Sequence, residues 1–241
     1  LMQQKLSASD GAGGDEFGRS VAISGETLVV GSPYDDDSGQ SNSGSAYVFV
    51  RLGGVVWNQQ TKLISDDPGS ADYFGWDVAI DGDIIIAGAP YDDDKGTQSG
   101  NTQIFRRIAG IWTHDAKLVA PDGSSYHYMG KSVAVSGNTM VSSSYSVDRV
   151  YVYVYSGSSW SLQQMLKPGQ GSGEYGYSVA IDGDIILIGT PTADPKGSNS
   201  GAAYVYNRTG STWVEQHFVA NPDGNSSDHF GYAVDVDGDY I

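Results

Sequence analysis

The segment IDGDIIIAGAPYDDDKG, residues 80–96, returns at 181–197 as IDGDIILIGTPTADPKG. A third version, ISGETLVVGSPYDDDSG, occupies 23–39, and residues 236–241 read VDGDYI. In each copy a Ser-Gly or Asp-Gly pair stands between two short apolar runs. That is the sequence signal for a tight two-residue hairpin with positive φ. A Pro-containing loop follows, and in two copies it carries three consecutive aspartates.

Aligning the hairpins brings the whole chain into register. Each unit opens on Phe-Gly or a relative, with the glycines at 18, 75, 130, 176 and 231, a spacing of 57, 55, 46 and 55 residues. A period of this size marks stacked or radially arranged modules. Four strands can be read in a unit. Strand A is SVAI, DVAI, SVAV, SVAI and AVDV. Strand B is TLVVGSP, IIIAGAP, TMVSSS and IILIGTP. Strand C is AYVFV, TQIFR, VYVYVY and AAYVYN. Strand D begins at Trp57, Trp112, Trp160 or Trp213 and runs into pairs such as Lys62-Leu63 and Lys117-Leu118. Helix-type apolar spacing is hard to find, and Gly/Ser/Asp/Asn clusters separate the runs, as in an all-β chain with many turns. Four antiparallel strands in a meander, repeated about every 50 residues, describe the blades of a β-propeller. The units are 17–73, 74–128, 129–174 and 175–229. An incomplete fifth is split between 230–241 and 1–16, with residues 1–6 as its strand D. Ala22, Ala79, Ala134 and Ala180 alternate with Val and Ile on strand A and suit either a crowded innermost strand or ordinary packing between sheets.

The combination of Phe-Gly, VAIDGD, IIIAGAP, Ser-Gly and AYVF resembles the FG-GAP repeat, the module of integrin α-subunit β-propellers and of many bacterial surface proteins. The resemblance covers essentially the whole chain. It implies one propeller over 1–241, placed outside the cell. The incomplete fifth unit predicts that it is part of a longer chain of about six to eight blades, seven by the family pattern, the alternative being a five-bladed ring whose last blade a second chain or a missing segment completes. The resemblance says less about function, because propellers host many functions.

In such a meander the A–B and C–D connections lie at one end of a blade and the D–A and B–C connections at the other. The A–B end holds two-residue turns, whereas the D–A and B–C end is long and acidic. This places Asp10 and Asp15 near Asp35, Asp36 and Asp37, and Asp67 and Asp72 near Asp92, Asp93 and Asp94. These ten residues are the candidate metal ligands, with calcium as the candidate ion, because clustered carboxylates are easier to tolerate beside a cation. The alternative is that the aspartates are ordinary turn formers. The family often carries a calcium loop between strands A and B. A two-residue turn cannot supply the 6–8 oxygens calcium takes, so Asp81-Gly82-Asp83 and Asp237-Gly238-Asp239 read as turn chemistry.

The chain has 29 acidic and 13 basic residues, a formal net charge of −16, and no cysteine. This balance argues against nucleic acid, whose phosphates need Lys and Arg, and against an anionic membrane surface. No apolar run approaches the roughly 20 residues of a membrane-spanning helix. Nucleophile-elbow, zincin and Cys-nucleophile motifs are absent. His114 and His217 fall on strand D and His127 and His229 in D–A loops, so no catalytic set is expected. The once-per-unit tryptophans read as packing, with ligand stacking the minority reading. Two sequons begin at Asn207 and Asn225. The expectation is a non-catalytic extracellular binding or adhesion propeller presenting its acidic loops to a protein or carbohydrate. Two alternatives remain: a structural component that assembles with copies of itself, and, behind it, a polysaccharide lyase or hydrolase.

Overall fold

The computed structural model describes residues 4–54 and 56–241. It divides into two compact units, Leu1–Tyr126 and His127–Ile241. The first holds the sheet β1 (Val21–Ser24), β2 (Thr27–Ser32), β3 (Ser45–Leu52), β4 (Val56–Leu63) and the sheet β5 (Val78–Asp81), β6 (Ile84–Ala89), β7 (Asn101–Ile108), β8 (Ile111–Leu118). The second holds β9 (Val133–Ser136), β10 (Thr139–Ser144), β11 (Arg149–Tyr155), β12 (Trp160–Leu166) and β13 (Ser178–Asp182), β14 (Ile185–Thr190), β15 (Ala202–Thr209), β16 (Thr212–Val219). Each sheet is a four-stranded antiparallel meander in chain order, the topology of a propeller blade. The one helical element among the described residues is a 3-10 turn, Tyr145–Val147.

The strands carry the repeat where the sequence puts it, but the hairpin turn sits one residue later than expected. Ser24 pairs with Thr27, Asp81 with Ile84, Ser136 with Thr139 and Asp182 with Ile185. The two loop residues are therefore Gly-X, with the glycines at φ of 52–57°. Glycine at the first of two positions is the alternative tight-hairpin solution to Asn-Gly. The acid at X is put to use: Glu26, Asp83 and Asp184 pair with Arg51, Arg107 and Arg208. These guanidiniums also lie over Trp57, Trp112 and Trp213, 4.5–5.5 Å from the ring centroids.

Each C–D ladder contains a bulge, and the extra residue is Gln60, Asp115, Gln163 or Gln216. A bulge re-aims a side chain. Here Gln60 accepts from Trp112 Nε1 at 3.2 Å, and Gln163 from Trp213 Nε1 at 2.9 Å. The recurrent tryptophans thus join one sheet to the next, and Trp112, Trp160 and Trp213 are buried.

The Phe-Gly and strand-B glycines belong to one seam. The amides of Gly18, Gly75 and Gly176 donate to the carbonyls of Gly31, Gly88 and Gly189, each at 3.0 Å. The carbonyl of Gly75 lies against Gly31 of the preceding sheet, and that of Gly231 against Gly189, so close that a Cβ on Gly31 or Gly189 would collide with it. Apolar residues fill the space around the seam. In the first unit Val29, Ala46, Val48 and Leu63 meet Ile85, Phe105 and Trp112. In the second, Val141, Val150, Val152 and Leu166 meet Ile186, Tyr204, Tyr206 and Trp213.

Two expectations about the ends are corrected. Residues 4–6 form no strand, and the rest of the expected segment, 1–3, lies outside the described residues. Instead the Gln4 side chain bonds to the backbone N and O of Trp57, both at 2.8 Å, while Leu6, Ala8 and Phe17 pack on Tyr47 and Phe49. At the other end, the expected strand A at 233–236 is not a strand; a single bridge joins Asp237 to Tyr240. The Val234 amide still bonds to Ser178 Oγ at 3.1 Å.

One exposed turn is conformationally mismatched. Ala109 has φ of 50°, where the matching residue of the fourth sheet is Gly210 at 64°. A left-handed L-residue costs about 1–2 kcal/mol, partly offset by the added chain entropy of glycine. Ala109→Gly is expected to raise stability by about 0.5 kcal/mol in urea unfolding.

Candidate functional site

The D–A and B–C loops of each sheet meet, as the meander requires. In the first sheet the Asp35 carbonyl accepts from Gly44 N at 2.9 Å, which closes the B–C loop, and Tyr34 N reaches back to the Asp15 carbonyl in the D–A loop at 3.3 Å. The three aspartates of each triplet then take different roles. Asp36 and Asp93 turn back on their own loops, accepting from Asn42 N at 2.7 Å and Gln98 N at 2.6 Å. Asp15 and Asp72 hold the D–A turn, each accepting at 2.6 Å from an amide three residues earlier. These four candidates are thus engaged in local turn chemistry.

The other six converge on a residue type the acidic pattern did not single out. Lys62, on β4, extends its ammonium to within 2.7 Å of Asp10, Asp35 and Asp37. Ser45 Oγ donates to Asp35 at 2.5 Å, and Tyr47 Oη donates to Asp10 at 2.9 Å. Burial works against the charge on Lys62, but the hydrogen bonds to Asp10, Asp35 and Asp37 outweigh it and hold its pKa above the usual lysine value. The same Lys62 bond holds Asp10 below the usual carboxylate value. Burial, and then the bond to Asp10, push the Tyr47 hydroxyl up.

In the second sheet Lys117, on β8, lies 2.5 Å from Asp67, 2.6 Å from Asp94 and 3.9 Å from both Asp92 and Asp66. The match to the first cluster is incomplete at Asp92, which is 4% exposed. Asn101 and Gln103 stand where Ser45 and Tyr47 serve Asp35, yet their side chains bond to Asp94 and Ser65 instead. Asp92 accepts from Asp94 N at 2.9 Å. Burial pushes its pKa up to about 7, against the pull of that amide and of Lys117, and the Asp94 and Asp72 charges add to the rise. One oxygen each from Asp67, Asp92 and Asp94 lie within 4.8 Å of one another.

Calcium asks for 6–8 oxygens around an open centre. At three of the A–B turns the acid after the glycine, Glu26, Asp83 or Asp184, is engaged by an arginine. At the loop end the lysine ammonium stands at the focus of the carboxylates. The residues present do not fit a calcium ion at either place. Lys62 and Lys117 are visible in sequence as recurrent strand-D residues; their positions opposite Tyr47 and Gln103 are not.

Half-buried aromatic rings line the same end. In the first unit Tyr73 lies 4.8 Å from Tyr34 and 5.0 Å from Tyr91, and Trp76 lies 5.5 Å from Tyr91, between ring centroids. The Arg19 guanidinium sits 3.6 Å from the centre of the Trp76 ring. In the second unit the half-buried Tyr145 and Tyr177 continue the theme, and the exposed Tyr232 adds its hydroxyl 2.9 Å from that of Tyr177. Beside Tyr34 a cleft of about 240 Å³ is lined by Asp10, Asp15, Asp36 and Asn42.

The FG-GAP repeat model matches five times, over residues 2–49, 57–105, 112–158, 160–206 and 213–241. The chain belongs to the FG-GAP repeat family. No curated protein matches the chain. Among solved structures this FG-GAP chain is similar to a putative 6-phosphogluconolactonase from Bacteroides uniformis, with a TM-score of 0.58 and 10% identity. The match covers 86% of this chain and 57% of that one, so the chain spans just over half of that protein. At this identity the likeness concerns the fold alone. No helix among the described residues is long and apolar enough to cross a membrane.

Proposed function

We propose that this FG-GAP chain is a non-catalytic extracellular binding module whose D–A and B–C loops face a protein or carbohydrate ligand. The observation that carries this reading is the difference between the two ends of the sheets. One end is closed by two-residue turns, three of which tie an acid to an arginine. The other gathers the long loops, the half-buried aromatic rings and a polar cleft. Aromatic faces with hydrogen-bonding groups beside them suit ligands that combine apolar faces and polar edges. The extracellular placement rests on the family's occurrence in integrin α-subunits and bacterial surface proteins.

The test is a glycan array and a protein array probed with the whole chain, followed by Tyr34→Ala and Asp36→Asn. The expected result is a retained ligand whose binding falls at least tenfold in these variants while circular dichroism is unchanged. Binding that survives both and is lost on Arg107→Ala would move the site to the other end. Failure to retain any ligand would sink the reading.

A second reading, assembly with copies of itself, has its own observation. An apolar groove of about 370 Å³ runs along Leu187, Val205, Val219 and Val234, and Val21 and Ile23 are each 61% exposed although their counterparts in the other sheets are buried. Light scattering that rises with concentration would favour it.

A further inference from the structure

We propose that Lys62 and Lys117 are tethered cations: they take the place of a metal at the loop end, so that the loops of this FG-GAP chain are ordered without calcium. The inference concerns how the loops are held and does not depend on what they bind.

Two observations carry it. The first is geometric. Each ammonium approaches its carboxylates at hydrogen-bonding distance from the protein side, Lys62 reaching three and Lys117 two, with a third at 3.9 Å. A divalent ion drawn to the same oxygens would stand beside a fixed positive charge, and like charges at such separations repel strongly away from bulk water.

The second comes from the repeats. Lysine stands opposite Tyr47 in the first sheet and opposite Gln103 in the second. The same position is Met165 opposite Tyr151 in the third and Phe218 opposite Tyr204 in the fourth. The B–C aspartates go with the lysine, whereas the D–A position of Asp10 and Asp67 keeps an aspartate, Asp122, in the third sheet. Where the first two sheets have Asp35 and Asp37, or Asp92 and Asp94, the fourth has Ala193 and Pro195, and the third keeps Asp148 alone in a shorter loop. Asp148 accepts from the Tyr175 amide at 2.9 Å, so it serves the backbone. If solvent or a metal balanced the acids, nothing would tie their presence to a lysine on another strand. Four sheets in one chain keep the paired B–C aspartates and the lysine together or lose them together.

The experiment compares calcium with chelator for the whole chain, for Lys117→Met, and for the triple variant Asp92→Ala, Asp94→Pro, Lys117→Phe. The triple variant carries the fourth sheet's B–C and strand-D residues into the second and leaves Asp67 without a strand-D lysine, as Asp122 is in the third. Thermal unfolding and calorimetric titration are the readouts. The wild-type chain is expected to give no heat with calcium and an unchanged melting temperature. Lys117→Met is expected to melt lower in chelator, to recover with millimolar calcium and to give a binding heat. The triple variant is expected to melt closer to wild type and to ignore calcium. Binding heat with a raised melting temperature in the wild type would overturn the proposal. So would a folded Lys117→Met variant that melts like wild type and does not respond. Should Lys117→Met fail to fold in either condition, the triple variant decides: wild-type-like melting supports the coupling, and equal failure refutes it.

Discussion

Gly75→Ala is expected to destabilise the protein by about 3–5 kcal/mol, whereas Gly82→Ala, seven residues away, costs about 1–2 kcal/mol. Both glycines have positive φ, 82° and 55°, so both substitutions carry the left-handed penalty of an L-residue. They differ in what a new methyl group meets. At Gly82 there is open space. At Gly75 the methyl runs into the Ser45 carbonyl, with the Gly31 Cα also in contact. Neither neighbour is a side chain that could swing aside. Ser45 is held in the ladder with Ser32, and Gly31 donates to the Ser20 carbonyl at 2.8 Å. Relief therefore requires the two sheets of the first unit to separate, exposing Val29, Val48, Ile85 and Phe105. Urea unfolding of the two variants beside wild type measures the difference. Equal costs would mean that the seam is looser than the packing of these residues implies.

The same seam explains what can be read from sequence. A glycine forced by close backbone approach has no substitute, so Phe-Gly and the strand-B glycine recur and reveal the period. The exception shows the rule: the third sheet has Ser143 in place of the strand-B glycine, and there a Cβ on Gly176 would meet the Val150 and Ser143 side chains first, with the Arg149 carbonyl farther off at 3.4 Å. Strand positions follow from the same pattern, because a period-2 apolar run between turn residues has few alternatives. The site is half legible. Which loops meet follows from meander topology, so Asp10 and Asp35 can be placed together. The lysines cannot be placed, because their reach depends on the register between β3 and β4 across a bulge at Gln60. One residue of slip there would turn Lys62 to the opposite face.

The two acidic clusters are expected to differ in their response to pH between 5 and 8. Asp92 leads the difference, and burial also raises Asp66 and Asp72 beside it. The folded-state pKa of Asp92 is raised to about 7 by burial, and in an unfolded chain it returns to the ordinary value near 4. A carboxyl with a raised folded pKa favours the folded state below its unfolded pKa, and that contribution is lost as pH rises through about 7. Asp10, Asp37 and Asp67 lie on the other side: lysine bonds hold them below the usual value despite their burial. Their contribution is present above the unfolded pKa and lost only as pH falls below about 4. Between 5 and 8 those three are ionised in both states, so the slope from this set comes from Asp92. A tenfold difference in proton affinity between the folded and unfolded chain corresponds to about 1.4 kcal/mol, so stability is expected to fall by roughly 2–4 kcal/mol across that window. Asp92→Asn keeps an oxygen for the Asp94 amide and removes the titration. The variant is expected to exceed wild type by about 1–2 kcal/mol near pH 5, by more near pH 8, and to show a flatter profile. Asp35→Asn in the first cluster removes a carboxylate that Ser45, Tyr47 and Lys62 all bond, and is expected to destabilise at both pH values. Chemical denaturation at four or five pH values reads this out. If Asp92→Asn ran parallel to wild type, the neutral-pH slope would have to come from another group.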